Sequence, residues 1–207
     1  MNIQTAYTQW STRYDLDENL TRDLAHVVTR KALIGLRCKS IIEIGCGTGN
    51  NTALLAQIGE KVHALDFSEG MLNHAKQKLK LDHVNFSAVD LTQTWPCEDQ
   101  SADLIVCVLV LEHIRDLGFV YSEAFRSLTL GGRFFICELH PLRQYQGAKA
   151  RFQSGHETRE IDAFVHHTSD FFNAAIRSGF ALKSLEEWWD QEDRNEFPRL
   201  VSFMFEK

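Results

Sequence analysis

The segment from position 41 to 50, IIEIGCGTGN, constrains the fold of this chain more than any other. β-Branched residues around an acid predict a buried strand, and glycine then occupies the alternate positions 45, 47 and 49. A strand that ends in glycines can turn sharply and lets a ligand approach the backbone, because no Cβ stands in the way. A helix that begins there points its free N–H groups at the same place. The segment therefore predicts a strand, a ligand-binding glycine loop and a helix.

The glycine spacing separates two kinds of nucleotide site. The dinucleotide pattern G-x-G-x-x-G needs its third glycine at position 50 or 52, and these positions hold Asn and Thr. The chain instead has E-x-G-x-G-x-G, with Glu43 two residues before Gly45. A carboxylate there repels a pyrophosphate and suits a cationic ligand. In these residues the chain resembles the class I methyltransferases that depend on S-adenosylmethionine (SAM). The plainer alternative is any strand–turn–helix unit of an α/β protein.

The rest of the chain alternates strand and helix patterns. Apolar strand segments are expected at 40–45, 61–65, 84–89, 103–108 and 133–137, and helices at 50–57, 117–128 and 169–178. Two further strands, at 180–186 and 200–205, follow in close succession and suggest an antiparallel pair. We therefore expect an α/β fold: a doubly wound, mostly parallel seven-stranded sheet with an antiparallel C-terminal edge hairpin and helices on both faces.

Acids follow two of these strands, at the sheet edge where ligands of such folds bind. Asp66 lies about 20 residues beyond the glycines, where a nucleotide-binding unit places a carboxylate on the ribose hydroxyls. A carboxyl that only starts a helix is the alternative. The resemblance implies that Asp90 accepts a hydrogen bond from the adenine amino group and that Leu91 donates its N–H to the ring. A loop acid is the alternative there.

The resemblance also implies the remaining contacts to the cofactor. Glu43 would bind near the methionine amino group, directly or through water, and the glycine loop would pass close to the methionine and the ribose. The full set of expected cofactor-binding residues is Tyr14, Glu43, Gly45, Cys46, Gly47, Asp66, Phe67, Met71, Asp90, Leu91 and Val108. Phe67 and Met71 would flank the adenine, Val108 would border the methionine, and Tyr14, in a Tyr-Asp pair, would close over the ligand.

Residues 138–168 break the strand–helix alternation and form a long polar stretch. Class I methyltransferases commonly insert their substrate-binding lid here, so we expect a substrate cap, with a plain surface excursion as the alternative. His140 directly follows the fifth strand and is the expected catalytic base, if one is needed. Other candidate bases are Glu138, His166 and His167, while His113 is expected to start a helix or to pack. Arg143 and Arg151 are candidates to clamp an acidic acceptor.

A single domain is expected over residues 1–207, with residues 1–35 as an N-terminal helical cap. Leu16, Leu20, Leu24, Val27, Val28 and Leu33 recur at helical spacing within that cap. The net charge of −6, with no basic block, argues against nucleic acid as a partner. The five cysteines form no C-x-x-C pair, which suggests reduced thiols in a cytoplasmic protein, and no metal site is expected. No segment suggests a membrane partner.

These features predict an enzyme that transfers the methyl group of SAM to a small-molecule acceptor by in-line displacement and releases S-adenosylhomocysteine (SAH). Two alternatives stay open at this point. One is a SAM-binding protein without catalysis, acting as a sensor or partner. The other is an NAD(P)-dependent oxidoreductase, which the glycine spacing and the C-terminal strand pair disfavour. An RNA or protein methyltransferase is disfavoured by the acidic charge. The sequence leaves the identity of the acceptor and the oligomeric state open.

Overall fold

The structure is a computed structural model that describes residues 2–154, 157–191 and 196–207. Its strands are β1 (Ile41–Ile44), β2 (Val62–Asp66), β3 (Val84–Ala88), β4 (Ala102–Val108), β5 (Leu128–Leu139), β6 (Arg151–Ser154), β7 (Glu157–Glu160), β8 (Ala181–Trp188) and β9 (Leu200–Glu206). Its helices are α1 (Ile3–Trp10), α2 (Leu20–Leu33), α3 (Asn50–Ile58), α4 (Glu69–Lys78), α5 (Leu117–Ser127), α6 (Pro141–Tyr145) and α7 (Thr168–Ser178). A short 3-10 turn spans Leu111–His113.

Seven strands form one sheet in the order β3-β2-β1-β4-β5-β9-β8, and β6 and β7 pair separately. The first five strands of that order run parallel, whereas β9 is antiparallel to both β5 and β8. Because the order reverses beside β1, the carboxyl ends of β1 and β4 open a crevice where ligands of such sheets bind. The predicted fold, including the antiparallel strand pair at the C-terminal edge, is confirmed.

The core lies on both faces of the sheet. Along β4, Ile105 and Cys107 pack into a cluster that contains residues of α5 and α7, whereas Leu104 and Val106 pack into a cluster that contains residues of α2 and α3. Strand side chains alternate between faces, so a strand covered on both sides is apolar throughout. This arrangement confirms helices on both faces.

Most predicted boundaries agree with the structure to within two residues, but β5 is longer than expected. It begins at Leu128 rather than at position 133 and includes the Gly131–Gly132 pair. Gly131 has a φ of +76°, and the register of β5 against β4 shifts near this point. The glycine pair therefore forms an irregularity inside the strand instead of the turn that precedes it.

The N-terminal segment differs from the sequence prediction in three ways. Helix α2 begins at Leu20, so Leu16 lies outside it and is 79% exposed. Val27 lies within α2 but is 60% exposed, so it is not part of the buried face. A separate helix, α1, precedes α2 and buries Ala6 and Trp10.

The segment predicted as a polar cap contains regular structure. Helix α6 and the β6–β7 hairpin lie within residues 138–168, and Gly155 and His156 lie outside the described residues. Phe152 stacks on Trp10 with ring centroids 5.6 Å apart, and Ile161 joins the same buried cluster. This segment therefore packs against the N-terminal helix. No helix in the described ranges is both long and apolar enough to cross a membrane.

Candidate functional site

The glycine loop between β1 and α3 has a backbone that residues with a Cβ rarely adopt. Gly45, Gly47 and Gly49 have φ angles of +71°, +53° and +82°. The N–H groups of Gly45 and Cys46 both donate to the Leu65 carbonyl, at 2.7 and 3.0 Å. The loop is thereby fixed to the neighbouring strand β2, and α3 begins directly beyond it. A Cβ built on Gly47 meets nothing within 4 Å, which shows open space above the loop at that position.

Asp66 ends β2 and holds the loop from the other side. Its Oδ2 accepts from the Gly47 N–H, and its Oδ1 accepts from the Ser68 N–H, both at 2.8 Å. The side chain is only 6% exposed, and this burial raises the pKa of the carboxyl to about 6, against the opposing effect of the backbone N–H donors. Each carboxylate oxygen has a further lone pair, so Asp66 can still accept hydrogen bonds from a diol.

Two cavities border the loop, and a third shares wall residues with both of them. The inner cavity, of about 120 Å³, is lined by Asp66, Phe67, Met71, Asp90 and Leu91. The loop cavity, of about 720 Å³, is lined by Cys46 and the N-terminal part of α3, among others. The outer cavity, of about 330 Å³, lies between the N-terminal segment and residues 148–151. The structure thus brings Phe67, Met71, Asp90 and Leu91 together as the sequence predicted, although they lie on different elements.

Several residues line more than one of these cavities. Gly45, Gly47 and Val108 line both the inner and the loop cavity, and Tyr14 lines all three. Leu109 also lines all three, and its φ is +58°, in a region that a leucine rarely occupies. Such backbone strain persists only where the surroundings impose it, and it clusters at ligand sites. The connecting point after β4 is therefore where a ligand of the inner cavity would meet a ligand of the outer cavity.

Tyr7 and His113 form a hydrogen-bonded pair in the wall of the inner cavity. The Tyr7 hydroxyl lies 2.7 Å from His113 Nε2, and His113 Nδ1 lies 3.1 Å from the Asp162 carbonyl oxygen. A carbonyl can only accept, so Nδ1 donates to it, and this leaves Nε2 as the ring nitrogen that pairs with the Tyr7 hydroxyl. Burial raises the pKa of the Tyr7 phenol well above its usual value. Because Tyr7 also lines the outer cavity, this pair lies where the two cavities adjoin.

The N-terminal segment is fastened over the loop by polar contacts at both ends. Gln4 Nε2 donates to the Phe67 carbonyl at 2.7 Å, which ties α1 to the end of β2. Asp15 accepts from Thr48 Oγ1 at 2.6 Å and from Lys78 Nζ at 2.7 Å. Burial acts to raise the pKa of Asp15, but the hydrogen bonds from Lys78 and Thr48 outweigh it, so this pKa is lowered. The segment covers the cavities through contacts with three elements that are distant in sequence.

Glu43 lies beneath the loop and does not line the three cavities. Its side chain is 3% exposed and accepts a short hydrogen bond from Thr52 Oγ1. Burial raises the pKa of Glu43 to about 8, against the opposing hydrogen bond from Thr52. The structure therefore does not support direct contact with a ligand, and the predicted contact through water stays a prediction.

The structure gives no support to the prediction that His140 is the catalytic base. His140 is 4% exposed and caps α6, where its Nδ1 accepts from the Leu142 N–H at 3.2 Å. Its Nε2 is bonded to Glu187 on β8 at 2.9 Å. Both ring nitrogens are engaged, and the ring lines none of the three cavities. A histidine before a proline here fastens the end of β5 to the edge strand.

The other candidates on residues 138–168 also have mostly structural contacts. Glu138 Oε1 accepts from the N–H groups of Val110 and Leu111, at 2.9 and 3.0 Å. His166 Nε2 donates to the carbonyls that flank the 3-10 turn, and Arg143 donates to the Phe197 carbonyl. His167 bonds to the Tyr145 hydroxyl. Of these candidates, Arg151 lines the outer cavity, and the others line none of the three cavities.

The sequence does not identify Tyr7 and Leu109 as site residues, and it does not predict that His113 is part of the site. Tyr7 stands in a helix that periodicity did not reveal, and its partner is 106 residues away. Leu109 lacks any sequence signal, because its unusual φ depends on tertiary contacts. The signal for His113 was its position shortly after β4, at the edge where the other site residues meet.

The fold and this site define the class I methyltransferase architecture. The family described as a methyltransferase domain matches residues 42–136. The crystal structure of the N-methyltransferase NodS from Bradyrhizobium japonicum WM9, in complex with SAH, superposes with a TM-score of 0.76 at 17% identity, covering 100% of this chain and 99% of that chain. The chain therefore has the fold of the class I SAM-dependent methyltransferases, and its residues 42–136 match the methyltransferase domain family.

Curated relatives carry the same kind of name. Demethylmenaquinone methyltransferase of Clavibacter sepedonicus is 32% identical over 141 residues, which are 66% of this chain and 57% of that protein. Malonyl-[acyl-carrier protein] O-methyltransferase of Yersinia pestis is 30% identical over 132 residues, which are 63% of this chain and 47% of that protein. The chain thus spans about half the length of these relatives.

Proposed function

We propose that this protein transfers a methyl group from SAM to a small-molecule acceptor and releases SAH. The observation that carries the proposal is the convergence of the glycine loop, Asp66 and Asp90 on adjoining cavities at the carboxyl ends of β1, β2 and β3. These residues fit SAM because the cavities combine a carboxyl that can accept hydrogen bonds from the ribose diol, an apolar wall for the adenine and a glycine loop with open space above it. Bound SAM would supply a methyl group on a cationic sulfur, which is already activated for transfer.

Asp66 would hold the ribose hydroxyls. Its two oxygens are fixed by the Gly47 and Ser68 N–H groups, so it needs no reorientation to accept from a diol. Phe67 and the fully buried Met71 give the flat apolar wall that an adenine needs, and Leu91 closes it. Asp90 Oδ1 accepts from the N–H and the hydroxyl of Thr92, which orients the carboxyl at the cavity edge.

Residues at the connecting point would align the acceptor with the methyl group. Orientation of this kind can supply several kcal/mol, roughly 7 or more in well-aligned reactions. Tyr7 and His113 are the pair placed to move a proton there. If the acceptor atom carries a proton, Tyr7 Oη takes it while the Tyr7 proton passes to His113 Nε2. Glu112 Oε1, 3.6 Å from that nitrogen, stabilises the imidazolium.

We also propose that residues 1–35 and 138–168 act as one substrate cap. The stacking of Phe152 on Trp10 and the shared lining of the outer cavity support this proposal. The similarity to demethylmenaquinone methyltransferase and the acidic net charge favour a small molecule over a nucleic acid. The five free thiols fit a reducing compartment such as the cytoplasm.

The test is calorimetric binding of SAM and SAH to the wild type, to Asp66→Asn and to the control Asp103→Asn. Asp103 also accepts two backbone N–H groups, those of Lys39 and Ser40, but lines none of the three cavities. We expect Asp66→Asn to weaken binding by about tenfold or more, or about 1.4 kcal/mol, and Asp103→Asn to leave it unchanged. Absence of SAM and SAH binding to the wild type would refute the proposal, and binding of NADH instead would restore the oxidoreductase alternative.

A further inference from the structure

The outer cavity carries an excess of positive charge. Arg22, Lys149, Arg151 and Arg199 line it, against the carboxylates Glu18 and Glu112. Among the residues that the structure describes, the formal charge of its lining is therefore +2, whereas the whole chain carries −6. A local charge of opposite sign to the rest of the molecule attracts ligands that the remaining surface repels.

The hydrogen bonds and ion pairs of Arg22 and Arg151 fix their positions but neutralise little of their charge. Arg22 is only 15% exposed at its side chain, and its two terminal nitrogens donate to the backbone carbonyls of Tyr14 and Asp17. Its Nε pairs with Asp23, whose side chain is 62% exposed. A pair with one partner so exposed is strongly screened by solvent. Arg22 thus keeps much of its positive field at the cavity wall.

Arg151 shows the same pattern. It pairs with Glu160 at 3.1 Å, but both side chains are at least half exposed. Glu112, one of the two acids, accepts from the neutral Gln144 Nε2 at 3.2 Å and keeps its charge. The contacts of Arg22 and Arg151 therefore leave the positive formal balance of the lining in place.

The body of the cavity is aromatic and aliphatic. Tyr7, Trp10 and Tyr14 line it, and Leu109 and Leu139 lie on the side of the sheet. An aromatic wall suits either a cation or a flat apolar group. The four basic residues disfavour a cation, which leaves a flat or apolar body that carries a negative charge.

We propose that the outer cavity binds a small organic anion, with an aromatic or otherwise apolar body and a carboxylate or phosphate group, and that this anion is the methyl acceptor. The last clause rests on the proposed function, whereas the preference for an anion does not. The anionic group binds among Arg22, Lys149 and Arg199, and the body points toward Tyr7 and Leu109 at the connecting point. The negative group also holds the acceptor by electrostatic attraction to a cofactor that carries a cationic sulfur.

The experiment uses benzoate, benzamide and benzamidine, which have nearly the same shape and carry charges of −1, 0 and +1. Binding is measured on the full chain, with and without SAH, through the indole N–H signal of Trp10 in nitrogen-resolved NMR. Phenyl phosphate, as a fourth probe, distinguishes a phosphate site from a carboxylate site. We expect one of the two anions to bind at least about fivefold more tightly than benzamide, and benzamidine to bind more weakly than benzamide.

Two variants locate the effect. Lys149→Gln should weaken binding of the preferred anion by about three- to tenfold and leave benzamide unchanged. Lys183→Gln, on the edge strand and outside the cavity lining, is the matched control and should change neither. The anion proposal is overturned if benzamide or benzamidine binds as tightly as the anions, or if neither anion binds at about 10 mM. Failure of SAH to bind would instead refute the proposed function, and the probe order would still decide the anion preference.

Discussion

Alanine substitutions at Gly45 and Gly47 distinguish the contribution of the glycine loop to stability from its contribution to ligand binding. Both residues have a positive φ, so alanine at either position is strained by about 1–2 kcal/mol. Their surroundings differ sharply. A Cβ at Gly45 would overlap with Val110 Cγ2 and lie 3.1 Å from Cγ1, whereas a Cβ at Gly47 meets nothing within 4 Å.

The difference in stability follows from that contact. Overpacking costs about 1–3 kcal/mol in addition to strain, so Gly45→Ala should lose about 2–5 kcal/mol and Gly47→Ala about 1–2 kcal/mol. A gap of about 2 kcal/mol corresponds to roughly 4–8 °C in Tm for a chain of this size. The effect on the cofactor is not proportional to stability. The new methyl of Gly47→Ala enters the space above the loop, so this variant should lose about tenfold or more in SAH affinity despite its small loss of stability.

Thermal unfolding gives the first quantity and calorimetry with SAH gives the second. Val110→Ala removes both Cγ atoms, so in combination with Gly45→Ala it should recover much of the lost stability. A double-mutant cycle measures this coupling. Equal Tm values for Gly45→Ala and Gly47→Ala, or a Gly47→Ala variant that keeps its SAH affinity within about twofold, would refute the reasoning.

Three further predictions concern the hydrogen bonds around the site. Tyr7→Phe should lower the free energy of unfolding by about 0.5–1.5 kcal/mol, because His113 Nε2 loses its donor. Urea unfolding of Tyr7→Phe, of His113→Asn and of the double variant should show that the two stability losses are coupled. Additive losses would contradict the hydrogen bond. Burial raises the pKa of Glu138 from 4.5 to about 8, against the opposing effect of backbone hydrogen bonds, so between these pH values the folded protein binds more protons than the unfolded chain and loses stability as pH rises. Glu138→Gln should remove this pH dependence of the unfolding free energy, which amounts to up to about 1.4 kcal/mol per pH unit. The urea midpoints measured at the two ends of this pH range should then differ less than in the wild type, and an unchanged difference would contradict the prediction. Asp15→Asn loses the charge that pairs with Lys78 and so weakens the attachment of the N-terminal segment. Amide hydrogen exchange of α1 should therefore accelerate by about 1.5- to 5-fold, while that of α7 stays constant. Equal acceleration in both helices would instead show a global loss of stability.

The sheet and the strand-end residues were predictable because their signals are local. β1 and β2 are largely apolar runs that stop at glycine or an acid, Asp90 follows β3 by two residues, and a parallel sheet brings all such stops to one edge. This geometric rule placed Asp66, Asp90 and the glycine loop near one another before any distance was known. The helices between the strands are bounded by caps such as Ser68 and Gly179, which are visible in the sequence.

The differences from the sequence prediction arose where long-range contacts decide the outcome. His140 occupies a strand end, as site residues do, but its ring is bonded to Glu187 on β8. No local pattern shows that partner. Helix α1 was missed because its apolar face is short and is completed by Phe152 and Ile161, which lie more than 140 positions away. Val27 follows the helical period of α2 but is exposed. Periodicity predicts which face of a helix is apolar, but not how much of that face other elements bury.

The strained residue Leu109 shows why those long-range contacts matter for function. Its N–H donates to the Cys137 carbonyl at 2.9 Å, so the register of β4 against β5 helps to hold the φ of +58°. The neighbouring N–H groups of Val110 and Leu111 are taken by Glu138, which stands at the end of β5. The strain is thus imposed by β5, the strand that leads into the predicted cap. A ligand at the connecting point touches a backbone whose conformation depends on the same element that positions the wall of the outer cavity. The backbone at the connecting point and Leu139 in the wall of the outer cavity are therefore held by the same strand, β5.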